Sequence, residues 1–239
     1  LPWINEQDRN WFAWLHLMDT HAPYEAPEEY QQRFRDESVE RSVSQKLARK
    51  ATHHPDELTT EDWNTQKQLY KAECAYLDDQ LAQLFNSLDA SVREQTVVVF
   101  TADHGEMHGE HGFGGHPQQF WEEVIHVPCA VSVPSSEDYS TDAQIGLVDV
   151  PPTILDAVDV TVPSEWDGHA RLPDNNGTVE PREHVFIDVG AKLNRLHAGV
   201  RRADSWKLMR HDDQGELLLN ISENSSEDQE KNQIESEPA

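Results

Sequence analysis

Four histidines and three carboxylates stand within twenty residues, in the segment VVVFTADHGEMHGEHGFGGH at 97–116. Asp103 and His104 are adjacent directly after an apolar run, where one oxygen and one nitrogen donor can bind a single divalent cation. Gly105 would allow a tight turn and a close backbone approach there. His116 at the end of the segment, and His21 in the distant stretch DTHAPY, can donate a hydrogen bond or a proton to an anionic group held by such a metal. Taken alone, the three residues DHG are equally compatible with a plain helix cap.

These residues need elements to position them. WFAWLHLM at 11–18 is an apolar run of strand length and predicts a strand buried on both faces, with DTHAPY at its carboxyl end. TVVVF at 96–100 predicts a second buried strand, and VPCAVSV at 127–133 a third. Between the first two, residues 61–88 carry a helical stripe of Leu69, Tyr76, Leu77, Leu81, Leu84 and Leu88, with Thr60 placed to cap its start. Tandem prolines open another helix in LVDVPPTILDAV at 147–158.

Strands alternating with helices predict an α/β domain around a mostly parallel sheet flanked by helices. Beyond residue 160, HVFIDV, LHAGVRR, SWKLMR and GELLLNI are short strand-like pieces between turns and predict a small antiparallel sheet. The expected division is an α/β part at 1–160, an antiparallel subdomain at 161–221 and an acidic tail at 222–239. Open α/β sheets bind ligands beyond the carboxyl ends of their strands. The two histidine-bearing loops therefore belong in one cleft.

Charge narrows the partners. Lys and Arg total 19 against 45 Asp and Glu, a net charge of −26, which disfavours nucleic acid and anionic membranes. The acids are spread along the whole chain, which reads as adaptation to high salt rather than as one acidic tail. No run of about twenty apolar residues is present to span a membrane. Cys74 and Cys129 have neither metal nor redox spacing and read as buried small hydrophobes.

Several segments resemble, in order, the sulfatase branch of the alkaline phosphatase superfamily. They are FAWLHLMDTHAPY, YKAECAYLDDQLAQLFNSL, TVVVFTADHGEMHGEHG, GHPQQFWEEVIHVPCAV and LVDVPPTILDAV, followed by a closing GELLLNISENSSEDQEKN. The resemblance implies an alkaline-phosphatase-like sheet, with 1–160 as the C-terminal part of the catalytic domain. It implies that Asp103 and His104 are metal ligands, for calcium or alternatively manganese or zinc. It implies that His21 contacts the sulfate and protonates the departing oxygen. His116 stands where many sulfatases carry a lysine, and keeps a donor aimed at the sulfate.

Other residues carry structural expectations. Asp19 would tie down the loop of His21, His111 would order its loop through a hydrogen bond, and His108 would be solvated. His16 would be a core histidine, Glu106 either a supporting or an exposed acid, and Asp149 a helix cap.

The family's early Asp-Asp pair and its Cys/Ser-x-Pro-x-Arg motif, whose Cys or Ser becomes the formylglycine nucleophile, do not occur in this sequence. The chain begins LPWINEQ, without an initiator methionine. The expectation is therefore a C-terminal portion of a sulfatase, inactive alone, acting in the complete protein on a small sulfated substrate. Two alternatives stay open: a phosphodiesterase or phosphoethanolamine-transferase-like enzyme of the same superfamily, and a non-catalytic remnant or binding module. Oligomeric state and localisation are left open by the sequence.

Overall fold

A computed structural model describes residues 2–117, 120–134, 140–189, 197–211 and 215–234. They form two compact units, Leu1–Thr96 with Gly105–Pro117, and Val97–His104 with Gln118–Ala239.

The first unit is mainly helical: α1 (Pro2–Asn5), α2 (Glu28–Gln31), α3 (Arg41–His53), α4 (Thr60–Asn86) and α5 (Ala90–Arg93). Helix α4 starts at Thr60, and its cap is Thr59, one residue before the expected one. Thr59 accepts from the Asp62 amide while the Asp62 carboxylate accepts from the Thr59 amide, a reciprocal pair that satisfies two otherwise orphaned donors. The buried face of α4 is Gln66, Leu69, Ala72 and Glu73. Farther along, Tyr76, Leu77, Leu81 and Leu84 of the expected stripe are only half-buried. Tyr30 of α2 meets Tyr76 edge-to-face at 5.1 Å over Ala26 and Ala72, a contact worth about 1 kcal/mol beyond its area.

The first unit also holds a two-stranded ladder. Residues Met107–His108, which follow β1 (Val98–Thr101) of the second unit, form β2 and pair antiparallel with β3 (Gly114–Gly115). The glycines of this hairpin have a steric reason. A Cβ on Gly114 would lie 2.7 Å from the Trp63 ring and 2.8 Å from the Ala51 side chain. Gly109, at φ +100°, would meet the same indole at 3.0 Å. Gly105, expected to supply the turn, is not among the described glycines with positive φ.

The second unit contains β1, α6 (Glu122–Ile125), β4 (Cys129–Ser132), α7 (Val150–Ala157) and a meander of β5 (His184–Val189), β6 (His197–Arg202), β7 (Trp206–His211) and β8 (Gly215–Asn220). The meander is antiparallel throughout, as expected. Met209 of β7 and Leu219 of β8 are buried, as are Phe120, Trp121 and Val124, and Phe120 lies against Gly199 of β6. The alternation of helix and strand thus yields helices with sheets, but every strand pairing among the described residues is antiparallel, including β1 with β4. The connection from β1 to β4 contains only the four-residue α6 within its own unit. So short a helix cannot carry the chain back along the sheet, and β4 returns from the end where β1 left.

The structure corrects several expectations of burial. Residues 11–18 form no strand, and Phe12 and Trp14 are 70% and 74% exposed. A strand buried on both faces needs ladder partners on its edges, and no described strand pairs with this run. His16 is exposed along with it. Strand β1 is half-buried and β4 largely exposed, as a two-stranded sheet must be when little covers it. Cys129 is consequently exposed and Cys74 intermediate, and both are free thiols.

Residues 222–234, expected as part of an acidic tail, are partly built in. Asn224 and Glu227 are buried, and Glu227 pairs with the fully buried Lys207. Lys207 also reaches Glu122 at 3.0 Å, and Arg201 reaches Glu122 at 3.2 Å. Residues 235–239 lie outside the described residues.

Candidate active site

In the first unit the loop after residue 18 closes through the His21 amide donating to the Met18 carbonyl at 2.8 Å. It turns His21 toward His116, which follows β3. The two Nε2 atoms lie 3.2 Å apart. His21 Nδ1 stands 2.6 Å from the Ala22 carbonyl oxygen, so Nδ1 carries a hydrogen and donates it. A neutral His21 then offers Nε2 only as an acceptor, and the hydrogen between the rings comes from His116. One proton therefore serves two facing nitrogens.

The pair borders a cleft of about 500 Å3 lined by the His21 loop, by α3 and by residues 113–117. Glu106 is on its wall, half-buried, and the Tyr24 hydroxyl donates to its carboxylate. Burial first, and then the Glu106 charge, push the Tyr24 phenol far above its ordinary value. The Glu106 carboxylate is thus a supported group rather than a merely exposed one.

Asp19 does tie down the loop, through a partner the sequence analysis missed. Its carboxyl hydrogen-bonds Glu73, which is buried on α4 and also accepts from the Glu25 amide at 2.9 Å. Burial and the facing Asp19 raise Glu73 to about 7. The available signal was an acid beside Ala72 on the buried face of α4.

His108 is not solvated. Pairing of β2 with β3 turns it between Tyr70 and Tyr24, with ring centroids at 4.8 and 5.7 Å. Burial lowers its pKa to about 4, so it is a neutral packing group. Glu110 accepts from the His108 amide and pairs with Lys67 at 2.8 Å, holding the turn in which His111 takes a left-handed φ of 53°.

Asp103 and His104 belong to the second unit and directly follow β1, as expected. The His104 amide donates to Asp103 Oδ1 at 3.0 Å, and His104 Nε2 lies 3.8 Å from Asp103 Oδ2. Two donors on one cation, each at about 2.0–2.6 Å, stand at about that separation. The Asp103 side chain is 76% exposed, so its lone pairs are open. The pair fits part of a divalent-metal site, with one carboxylate and one imidazole as donors. A hard cation takes six to eight ligands, roughly, so further oxygens must complete it.

Asp149 stands at the N-cap position of α7, but its side chain makes no capping hydrogen bond to that helix, contrary to expectation. It is fully buried, accepts from the Gly146 and His169 amides, and is gripped by Arg182 through two bonds of 2.9 Å. Burial works to raise its pKa, but Arg182 prevails and holds it below the usual carboxylate range.

The fold is alkaline-phosphatase-like. The structure overlays that of a phosphonate monoester hydrolase from Agrobacterium radiobacter with a TM-score of 0.77, at 22% identity, over 98% of this chain and 55% of that one. It also overlays a protein solved with its substrate D-glucosamine-2-N,6-O-disulfate, with a TM-score of 0.62 at 23% identity, over 74% of this chain and 37% of that one.

The sulfatase family pattern matches residues 1–160, and the chain belongs to the sulfatase family. It is 28% identical to the uncharacterized sulfatase YidJ of Escherichia coli (strain K12), over 63% of this chain and 32% of that protein. It is 31% identical to arylsulfatase K of Gallus gallus, over 66% and 31%. It is 25% identical to choline-sulfatase of Rhizobium meliloti, over 85% and 42%. The chain thus spans about a third of the length of the curated relatives it matches. No helix among the described residues is long and apolar enough to cross a membrane.

Proposed function

We propose that this chain carries the proton-handling histidines and part of the metal-binding donor set of a hydrolase acting on a small sulfate ester. The contact of His21 with His116 at the cleft rim supports this reading above all. The pair holds one proton between its Nε2 atoms, and that proton can pass to the ester oxygen as it leaves. Asp19 and Glu73 keep the His21 loop in place. Asp103 and His104 would hold a divalent cation, calcium first and manganese or zinc as alternatives. When bound, such a cation supplies polarisation of the sulfate oxygens.

The formylglycine nucleophile and the remaining ligands would come from a part of the protein outside this chain, of which 1–160 forms the C-terminal part of the catalytic domain. Without a nucleophile the chain alone does not turn over. Its acidic surface suits work at high salt.

The nitrogen donor of His104 favours one second reading, phosphoryl or phosphonyl ester hydrolysis with manganese or zinc.

The test compares the complete gene product with this chain, on 4-nitrophenyl sulfate, phosphate and phenylphosphonate, with each metal and after chelation. The complete protein should prefer the sulfate, lose activity on chelation, and lose about a hundredfold or more in kcat on His21→Ala or His116→Ala. A preference for phosphorus esters would transfer the assignment to the second reading. Metal-dependent turnover by this chain alone would overturn the claim that its nucleophile lies elsewhere.

A further inference from the structure

The cleft beside the histidine pair contains an arginine that the proposed chemistry does not use. Gln45, Ala48, Arg49, Thr52 and His53 recur along one face of α3, and all five line the cleft. The neighbouring face, Ser44, Leu47 and Ala51, packs inward and fixes that orientation. The exposed Arg49 side chain makes no ion pair or hydrogen bond to any described residue. Its neighbours on the helix do: Lys50 pairs with Glu57 at 3.2 Å and Arg41 with Glu25 at 2.9 Å.

With 45 acids against 19 basic residues, a missing partner for an arginine does not reflect any shortage of carboxylates. Among the described lining residues the single carboxylate is Glu106, and the Tyr24 hydroxyl engages it. The wall of the cleft therefore carries one guanidinium and three imidazoles against one carboxylate, on a molecule of net charge −26. A field of that sign repels anions at long range, so an anionic ligand must be drawn by local donors.

We propose that Arg49, with His53 one turn along α3, forms a second anion subsite, and that the substrate carries a carboxylate or a further sulfate besides the sulfate to be removed. The proposal rests on the reading that His21 and His116 take the reacting group. A guanidinium presents a planar fork that matches carboxylate and sulfate alike, and His53 adds a donor on the same side. A volume of about 500 Å3 holds a ligand of monosaccharide or aryl size with both anions inside.

The test uses 4-carboxyphenyl sulfate, its methyl ester, and the 1,4-disulfate of hydroquinone. Each is titrated calorimetrically into the full chain and its Arg49→Gln and His53→Gln variants in about 0.15 M KCl, where a Debye length of about 8 Å leaves a direct ion pair its attraction. The dianions should bind roughly tenfold or more tightly than the ester. Arg49→Gln should remove that advantage while leaving ester binding unchanged, and His53→Gln should remove a smaller part. The two dianions, compared with each other, distinguish a carboxylate from a second sulfate as the preferred anion.

Equal affinity for ester and dianions in the native chain would overturn the subsite. So would an Arg49→Gln variant that weakens all three ligands alike. Turnover of the same compounds by the complete protein separates the two claims. A dianion preference without sulfate hydrolysis leaves the subsite standing and removes the sulfatase reading. Hydrolysis without the preference does the reverse.

Discussion

At the scale of single residues, the decisive groups are those whose charge the fold commits. The Ala22 carbonyl holds the hydrogen on His21 Nδ1, so in a neutral His21 the proton between the two rings comes from His116. Asp149 is the opposite case, a carboxylate with no freedom at all. It anchors the Arg182 guanidinium and draws Arg171 to 3.5 Å, with both arginine side chains mostly buried. Asp149→Asn keeps the shape but leaves two cations facing a neutral amide. It should cost about 3–5 kcal/mol, read as a lowered urea midpoint. A loss below about 1 kcal/mol would show that the arginines find other partners. The sequence reading placed this residue at a helix start, because the proline pair advertises one, but assigned its carboxylate a capping role that it does not have. It could not find Arg182, 33 positions away, because nothing in a linear pattern reports a long-range ion pair.

At the scale of elements, the His21 loop depends on α4 through two carboxyls. Glu73 sits at about 7 in the folded chain, above the ordinary glutamate value of 4.5. The folded state therefore binds more protons than the unfolded state between those values. The stability it contributes is complete below about pH 4.5 and is lost as pH rises through 7. Glu73→Gln retains an oxygen for the Glu25 amide and gives Asp19 a permanent donor. It should raise stability by about 1–2 kcal/mol at pH 8 and change nothing at pH 4.5, in urea titrations at the two pH values. An equal effect at both pH values would deny the shared proton.

Elements also show what a sequence can and cannot reveal. The helical period of 61–88 became α4, and the short pieces after 184 became the meander, because local spacing determines both. The turn was read at Gly105, whereas the left-handed turns fall at Gly109 and Gly112, and the packing of Gly109 and Gly114 on Trp63 and Ala51 was not legible. The run 11–18 has the composition of a buried strand, yet burial depends on neighbours that composition does not contain. The same holds for the candidate site. Residue types and motif order indicated His21, His116, Asp103 and His104, while the contact of His21 with His116 needed coordinates.

At the scale of the whole molecule the dominant fact is the charge of −26. Many of the acids have no nearby cation, so their mutual repulsion acts against the compact state whenever it is unscreened. The Debye length falls from about 10 Å at 0.1 M salt to about 3 Å at 1 M, which is shorter than the spacing of most surface charges. The buried groups behave otherwise. Lys207 with Glu227, and Asp149 with Arg182, are shielded from solvent and keep their attraction in salt. Raising KCl should therefore remove repulsion faster than attraction. We expect stability to grow by about 2 kcal/mol between 0.1 and 2 M KCl, a rise in Tm of roughly 4–8 °C. KCl is the salt to use, because sulfate strengthens apolar burial by itself and is the anion proposed for this cleft. A Tm that stays level or falls across that range would mean that the acidic surface is no adaptation to salt, and that surface ion pairs contribute more than the repulsion between like charges.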